Sequence, residues 1–576
     1  MIVQGLKYQW KIPEVDTQQV ANLATQVALP IALTYALYSR GFTQKEHLQD
    51  YLISSYEKDV ADPALLKDAE KAVDRLLKAI EHSEKILISG DYDVDGITSS
   101  ALMMICLLPL GAQVNFFLPH RVKDGYGLSC KTIERAHQNG YKIIITVDNG
   151  ISAFEPAERA QQLSIDLIIT DHHRPHGKVP AAFAVIDPHQ EDCSYPYKFF
   201  AGVGVSFKLM SLLYKRLGKE LPYQVYELLL LGTVADVVPL TGENRYWVRH
   251  GLKKITQGHS YGLTVLKRNA RVTKPLLNSL DIGFFITPQI NALGRLEDAR
   301  SGVKFLVGSD DAVTEAVGSL LHQLNETRKQ IERSIFEAVQ QHISQGAIRP
   351  HESRMIIACN DDWPSGVIGL VAGKLMNAYN VPTILLHKTA GGILKGSCRS
   401  IPECDIFKAL TSVKDLLISF GGHPMAAGLS LKEEHFDLFK KRLSEYIMQY
   451  VTAETLIKRI TCDAPLLLTD ITQQLSHGLH YLEPFGCENA QPLFFIEQVT
   501  LLEPPHLLKE QHCKIRIFSE GVIKSVIFFN RPELYEWFSC NQDNSFSIAA
   551  YITENHWNGK VSLELQGVDV ALRVLQ

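Results

Sequence analysis

Residues 85–96 read Lys85-Ile-Leu-Ile-Ser-Gly-Asp91-Tyr-Asp93-Val-Asp95-Gly96, and the fold turns on them. The run Lys85–Ser89 is apolar without polar alternation, the pattern of a strand covered on both faces. It stops at Gly90 and delivers three carboxylates within five residues. At i, i+2 and i+4 these project to one side of an extended chain. The same grammar recurs further along. Lys142–Val147 leads into Asp148-Asn149-Gly150, Asp166–Thr170 into Asp171-His172-His173, and the apolar run Leu228–Ala235 into Asp236. Two more β-rich runs, Val114–Leu118 and Ala182–Ile186, alternate with helical stretches. This order predicts an α/β fold, a parallel sheet with flanking helices. Ligands in such sheets sit outside the carboxyl ends of the strands, so one rim would collect all four acidic sites.

Crowded, unpaired carboxylates repel one another and raise their own pKa values. Divalent cations remove that conflict, and four ionised acids balance two of them. Oxygen ligands with one or two imidazoles suit Mn²⁺ or Mg²⁺ better than zinc. A pair of ions about 3.5–4 Å apart hydrolyses phosphate esters by stabilising attacking and leaving oxygens together. Asp-x-Asp-x-Asp-Gly also opens an EF-hand loop, which needs Glu at position 12. Counted from Asp91, that position is Leu102, and a strand, not a helix, precedes the loop. Alone, Asp148 or Asp236 would be a turn or cap aspartate and His172-His173 a structural pair. Their joint position at strand ends argues for ligation.

The remainder of the chain divides by pattern. Residues 1–60 form an N-terminal helical segment, and residues 1–80 read mostly as helices, with apolar spacing of three to four over Ala21–Arg40 and Pro63–His82. The sheet-bearing catalytic domain covers 61–311. Residues 312–345 read as one connecting helix about 50 Å long. A smaller α/β domain covers 346–455, with strands Met355–Ala358 and Thr383–Leu386 and a glycine-rich tail through Gly428. Short alternating strands fill 456–576, at Leu493–Leu501, Lys514–Phe518, Lys524–Phe529, Ser547–Thr553 and Val561–Leu565, the spacing of a five-strand β-barrel that binds single strands.

Composition sets the limits. A chain of 576 residues, 46% hydrophobic and 21% charged, predicts roughly three to five globular domains. With 38 Gly and 25 Pro, collagen-like and wholly disordered readings are excluded. The strongest apolar stretch, Ala101–Leu110, is too short for a bilayer, and MIVQGLKYQWKIPEV is not a secretory signal. A soluble, cytoplasmic protein without a membrane partner is expected. Ten cysteines contain no Cys-x-x-Cys pair, against a thiolate zinc site or a disulfide framework; most read as small buried hydrophobes. Net charge is −5, yet Arg245 to Lys274 holds eight Lys/Arg and no acid. That stretch is either a grip for a phosphate backbone or a solvated helical face.

Together, Asp91-Tyr-Asp-Val-Asp-Gly96, Asp148-Asn-Gly150, Asp171-His-His173 and Gly232-Thr-Val-Ala-Asp236 resemble the four motifs of the DHH phosphoesterase superfamily. Asn291-Ala-Leu-Gly-Arg295, Gly396-Ser-Cys-Arg-Ser400, Gly421-Gly-His-Pro-Met-Ala-Ala-Gly428, Glu483-Pro-Phe-Gly486 and Trp557-Asn-Gly559, with Gln566 and Asp569, narrow the likeness to the RecJ family of single-strand-specific DNA exonucleases. It runs from about residue 60 onward. The resemblance implies a DHH domain, a DHH-associated domain and an oligonucleotide-binding (OB-fold) barrel. It implies digestion of single-stranded DNA from the 5′ end to 5′-mononucleotides, in DNA repair and recombination. A single-strand-binding protein and a helicase are the implied protein partners.

The same likeness distributes roles. Asp93 would hold one ion, Asp95 the other, and Asp148 would bridge them; His172 and Asp236 would complete the second site. Asp91 would be a ligand or an acceptor behind one. His173 would meet the scissile phosphate, and Asp171 would buttress an imidazole. Phosphate or DNA contacts fall to Asn291, Arg295, Ser397, Arg399, Ser400, Gly421, Gly422 and His423; guanidinium forks match phosphate oxygens, and adjacent glycines let backbone amides approach an anion. The barrel and the basic stretch would grip the strand. Two positions depart from the family pattern: Pro364-Ser365 stands after Trp363 in place of His-Pro, and Cys398 replaces a smaller residue. The alternatives are an oligonucleotide or dinucleotide phosphodiesterase of the same superfamily, against which the C-terminal barrel speaks, and a non-catalytic scaffold, against which the intact acids speak.

Overall fold

The computed structural model describes residues 1–121, 124–308, 310–557 and 560–572. They form two compact units: residues 55–447 with 484–489, and residues 1–54 with 448–483 and 490 onward.

In the larger unit a five-stranded sheet runs in the order Gln113–Phe117, Lys85–Ser89, Tyr141–Val147, Asp166–Thr170, Ala184–Ile186, every neighbouring pair parallel. Both faces are covered. Ile86, Ile88, Ile143 and Ile145 join one core cluster, whereas Leu87, Ile144, Leu167 and Ile169 join another. Two buried faces remove any polar alternation, which is why the strands read as unbroken apolar runs. The helix Val94–Leu107 leaves the first strand and is buried along its whole length.

The run Leu228–Ala235 is not a strand. It belongs to the helix Gln224–Ala235, in which Leu228, Leu229, Leu230 and Leu231 are all buried. A helix covered all round shows the same continuous apolar run as a covered strand. Asp236 therefore arrives from a helix C-terminus. Helix Asp311–Ser344 leads to a second sheet, ordered Leu417–His423, Ala426–Lys432, Ile393–Arg399, Thr383–Lys388, Ile356–Asn360. Only its last pair is parallel.

The basic stretch is dispersed over the helices Gly242–Gln257 and Tyr261–Asn269. Arg245 is buried, Arg268 pairs with Glu315, and Lys274 pairs with Asp281 at 2.5 Å.

The smaller unit holds a seven-stranded sheet, with Phe494–Leu501 pairing additionally with His512–Ser519. The expected five strands are therefore an undercount. Residues 1–80 are mostly helical, as expected, with two short strands besides. Ile2–Gln4 and Gln9–Lys11 form a sheet with Arg459–Thr461, and Ala21–Arg40 is broken at Pro30 into the helices Thr17–Val27 and Ile31–Ser39, bent by 114°. Asp569, fully buried, accepts from the backbone N–H of Tyr8 at 2.9 Å and from Trp10 Nε1 at 3.0 Å. Asn558, Gly559 and the Trp557 side chain lie outside the described residues. Among the described residues no single helix is long and apolar enough to cross a membrane; the bent pair passes only when its two helices are counted together. Six of the cysteines, Cys106, Cys193, Cys398, Cys404, Cys462 and Cys513, are buried.

Candidate metal centre

Each acidic motif reaches the rim through its own local geometry. Asp93 caps the helix Val94–Leu107, accepting from Gly96 N–H at 3.1 Å. The three acids do not lie on one extended segment, because Asp95 is already in the first helical turn. Its carboxylate takes the N–H groups of Gly202 at 2.5 Å and Val203 at 2.8 Å. Those begin the helix Gly202–Arg216, whose positive dipole end favours an anion. Asp148 follows its strand at φ 61°, a left-handed turn that Asp tolerates. A Cβ on Gly202 would fall 2.6 Å from the Asp148 Cβ, so only glycine lets that helix end approach. Beyond Asp236, Val237 sits at φ 59°. A β-branched residue there is strained, a condition that persists where surrounding structure enforces it.

These pieces converge. His172 Nε2 lies 3.1 Å from an Asp148 oxygen, 3.7 Å from Asp236 and 3.9 Å from Asp95. Ligand atoms of Asp95, His172 and Asp236 all fall within 4.8 Å of one another, as do those of Asp91, Asp93 and Asp148. Asp148 stands between the two groups. Burial, and then the neighbouring acids, push Asp91, Asp148 and Asp236 well above the usual carboxylate range and Asp95 up to about 7. Burial, and then the adjacent His173, pulls His172 down to about 4. Asp91 Oδ1 is buried with no hydrogen-bond partner. Neutral imidazole, crowded carboxylates and an orphaned oxygen make a donor set that fits hard divalent cations.

Asp171 is spent differently. Its Oδ2 accepts from Ile151 N–H at 2.9 Å, and its Oδ1 from His172 N–H at 2.7 Å and His173 Nδ1 at 2.7 Å. It orients His173, not His172. Burial opposes protonation of His173, but the bond to Asp171 prevails and holds its pKa at about 9. Tyr126 donates to the Asp148 carbonyl at 3.2 Å. Beside His173 opens a cleft of about 800 Å³, lined among others by Tyr126, Ser152, Arg174, His176, Gly422 and His423.

The phosphate-binding candidates separate. Arg295 Nη1 donates to Gly366 O at 3.0 Å, and burial, then Arg121, lowers its pKa to about 10. Arg399 Nη1 reaches Ser397 Oγ at 3.1 Å. Asn291 Oδ1 is buried without a partner. Gly421, Gly422 and His423 lie exposed on one edge strand. Ser400 does not fit the expectation: it is fully buried, its hydroxyl donating to Cys404 O at 2.5 Å, so no phosphate reaches it. Cys398 is likewise buried, and its carbonyl accepts from Arg399 Nη1 at 2.8 Å. Pro364 immediately precedes the helix Ser365–Tyr379, next to Gly366.

Sequence reasoning missed two groups. One is the Gly202-Val203 helix start, signalled only by glycines ahead of an apolar run. The other is Arg121, which stacks on Tyr92 at 4.1 Å and donates to Gly294 O at 3.0 Å. No motif marks it.

Known proteins share this sequence and fold. Models of the DHH family N-terminal domain, the DHHA1 domain and the RecJ OB domain match residues 85–233, 352–449 and 462–569. The single-stranded-DNA-specific exonuclease RecJ of Bacillus subtilis (strain 168) is 35% identical over 98% of this chain and 71% of its own. Crystal structures of RecJ from Thermus thermophilus superpose with a TM-score of 0.81 in complex with Mn²⁺ (27% identity, 98% of this chain, 80% of that one) and 0.75 in complex with Mg²⁺ (26%, 98%, 78%). With three domain models matched in order and identity at this level along nearly the whole chain, the protein belongs to the RecJ family.

Proposed function

We propose that this chain is a metal-dependent exodeoxyribonuclease that digests single-stranded DNA from the 5′ end, releasing 5′-mononucleotides during DNA repair and recombination in the cytoplasm. The observation that carries the reading is the meeting of His172 Nε2 with the carboxylates of Asp95, Asp148 and Asp236 within 3.9 Å. In it, Asp93 and Asp91 would hold one Mn²⁺ or Mg²⁺ ion, Asp95, His172 and Asp236 the other, and Asp148 both. When bound, the two ions supply an activated water and neutralise charge on the leaving 3′ oxygen.

The protein's own groups do the rest. Asp171 fixes His173 as a cation whose free ring nitrogen donates to a non-bridging phosphate oxygen, strengthening as charge develops there. Arg295 and Arg399 offer preformed guanidinium forks to flanking phosphates. The Gly202-Val203 amides keep Asp95 from turning away from the centre. A single-strand-binding protein and a helicase, which would deliver the strand, are the protein partners that fit this role.

Oligonucleotides labelled at either end test the reading. With Mn²⁺ the 5′ label should leave first as a mononucleotide, duplex should resist, and chelator should stop the reaction. Digestion that begins at the 3′ label, or survives chelation, would overturn it.

A further inference from the structure

From Ser279 to Leu296 the backbone is one continuous helix, interrupted by a π-turn at Ile282–Ile286. Its Ile282, Ile286 and Ile290 are buried. Along the opposite side, Leu280, Phe284, Pro288, Asn291 and Arg295 are not buried, and their spacing of four, four, three and four places them on one face. Phe284 is 72% exposed. π-Turns inside helices mark functional sites more often than chance.

Arg295 stands at one end of this stripe and Phe284 near the other. Arg295 lies within the field of Asp93. At the other end, a Cβ on Gly283 would sit 3.5 Å from Val234, two residues before Asp236. Between them, Asn291 Oδ1 is buried and lacks a donor. A ligand lying along the stripe therefore meets a cation, then the half-buried amide side chain of Asn291, then a bare aromatic ring. A nucleic acid strand has that sequence of groups: phosphate, base or sugar N–H and O–H donors, and flat π-faces that stack on aromatic side chains. Eleven residues at about 1.5 Å each separate Phe284 from Arg295, roughly 16 Å, or about five nucleotides of a stacked strand at ~3.4 Å apiece.

We infer that Phe284 is a stacking platform for bases of the substrate strand several nucleotides beyond the scissile phosphate, and so a positioning residue for the exonuclease. The inference rests on the single-strand reading of the centre.

Fluorescence anisotropy with a twenty-nucleotide strand, in chelator, tests it apart from turnover. Two strands are compared, one intact and one carrying abasic positions at nucleotides four to six. Phe284→Ala should weaken the intact strand about tenfold and the abasic strand no further, while Phe284→Trp restores the intact-strand affinity. With Mn²⁺ the same tenfold change should appear in KM. Equal weakening of both strands, or no weakening of the intact one, would overturn the platform. Should the protein fail to digest DNA while the anisotropy coupling holds, the nuclease reading falls and the platform stands.

Discussion

Two buried acidic sites in the larger unit solve the same electrostatic problem in opposite ways. Glu243 is 1% exposed yet carries its own counter-charge: Lys208 Nζ donates to it at 2.8 Å, Trp247 Nε1 at 2.9 Å and Tyr195 OH at 2.7 Å. At the rim, Asp91, Asp95 and Asp148 are also buried and Asp236 half-buried, but its acids face one another and a neutral His172. No lysine or arginine forms an ion pair with Asp91, Asp95, Asp148 or Asp236 among the described ion pairs. A fold that wanted only stability would complete such a cluster internally. Leaving it incomplete reserves the positive charge for something that comes and goes.

The contrast can be broken, first at the rim. Asp148→Asn should lower turnover about a thousandfold, and Mn²⁺ should raise its melting temperature less than it raises the wild type's. In chelator the variant should melt no lower than the wild type, because it loses a repulsion while its amide oxygen can still face His172 Nε2. Full activity in this variant would sink the two-ion arrangement. Glu243→Gln should behave the other way. Leaving Lys208 buried and unpaired should cost about 3 kcal/mol in urea unfolding, equally with and without Mn²⁺; an unchanged midpoint would remove Glu243 from the comparison.

The smallest effect sharpens it. His480, half exposed, sits 3.3 Å from Glu483 and 3.2 Å from Glu554, and the bond to Glu483 leads in raising its pKa to about 9. The folded value exceeds the unfolded one, so this stabilisation is complete below about pH 6.5 and fades as pH rises toward 9. Solvent screening keeps it small. Melting curves of His480→Asn should run below wild type at pH 6 and meet it above pH 9; curves parallel across that range would contradict the pairing.

How much of this was legible depends on which residues carry local signals. Strand ends at Ser89, Val147 and Thr170 announce themselves because both faces of the sheet are covered, and Asp93, Asp148 and His172 follow by adjacency. Asp236 was found for a mistaken reason: Leu228–Leu231 is apolar because a helix is enclosed, and periodicity cannot separate that from an enclosed strand. Ser400 shares a motif with Arg399, yet the polypeptide turns it inward to cap Cys404 O, a tertiary choice with no sequence mark. The strands Ile2–Gln4 and Gln9–Lys11 are three residues each, and the second pairs with Arg459–Thr461, some 450 positions away. Arg245 to Lys274 reads as free of acids along the chain, yet Glu315 and Asp281, which lie outside the stretch, pair with Arg268 and Lys274.

The Asp569 carboxylate has a consequence for the order of events during synthesis. It gathers N–H groups from Tyr8 and Trp10, so the segment around Gln9–Lys11 and the strand Lys560–Leu572 are finished together. At about 5–20 residues per second, the first ten residues wait on the order of a minute for that acceptor to leave the ribosome. Meanwhile everything from 55 to 447 has emerged and is free to fold. The unit that contains Gln9–Lys11 thus closes after the larger one, and a nascent chain stalled just past residue 447, before Arg459–Thr461 emerges to pair with Gln9–Lys11, holds a formed acid rim with that segment still unclaimed.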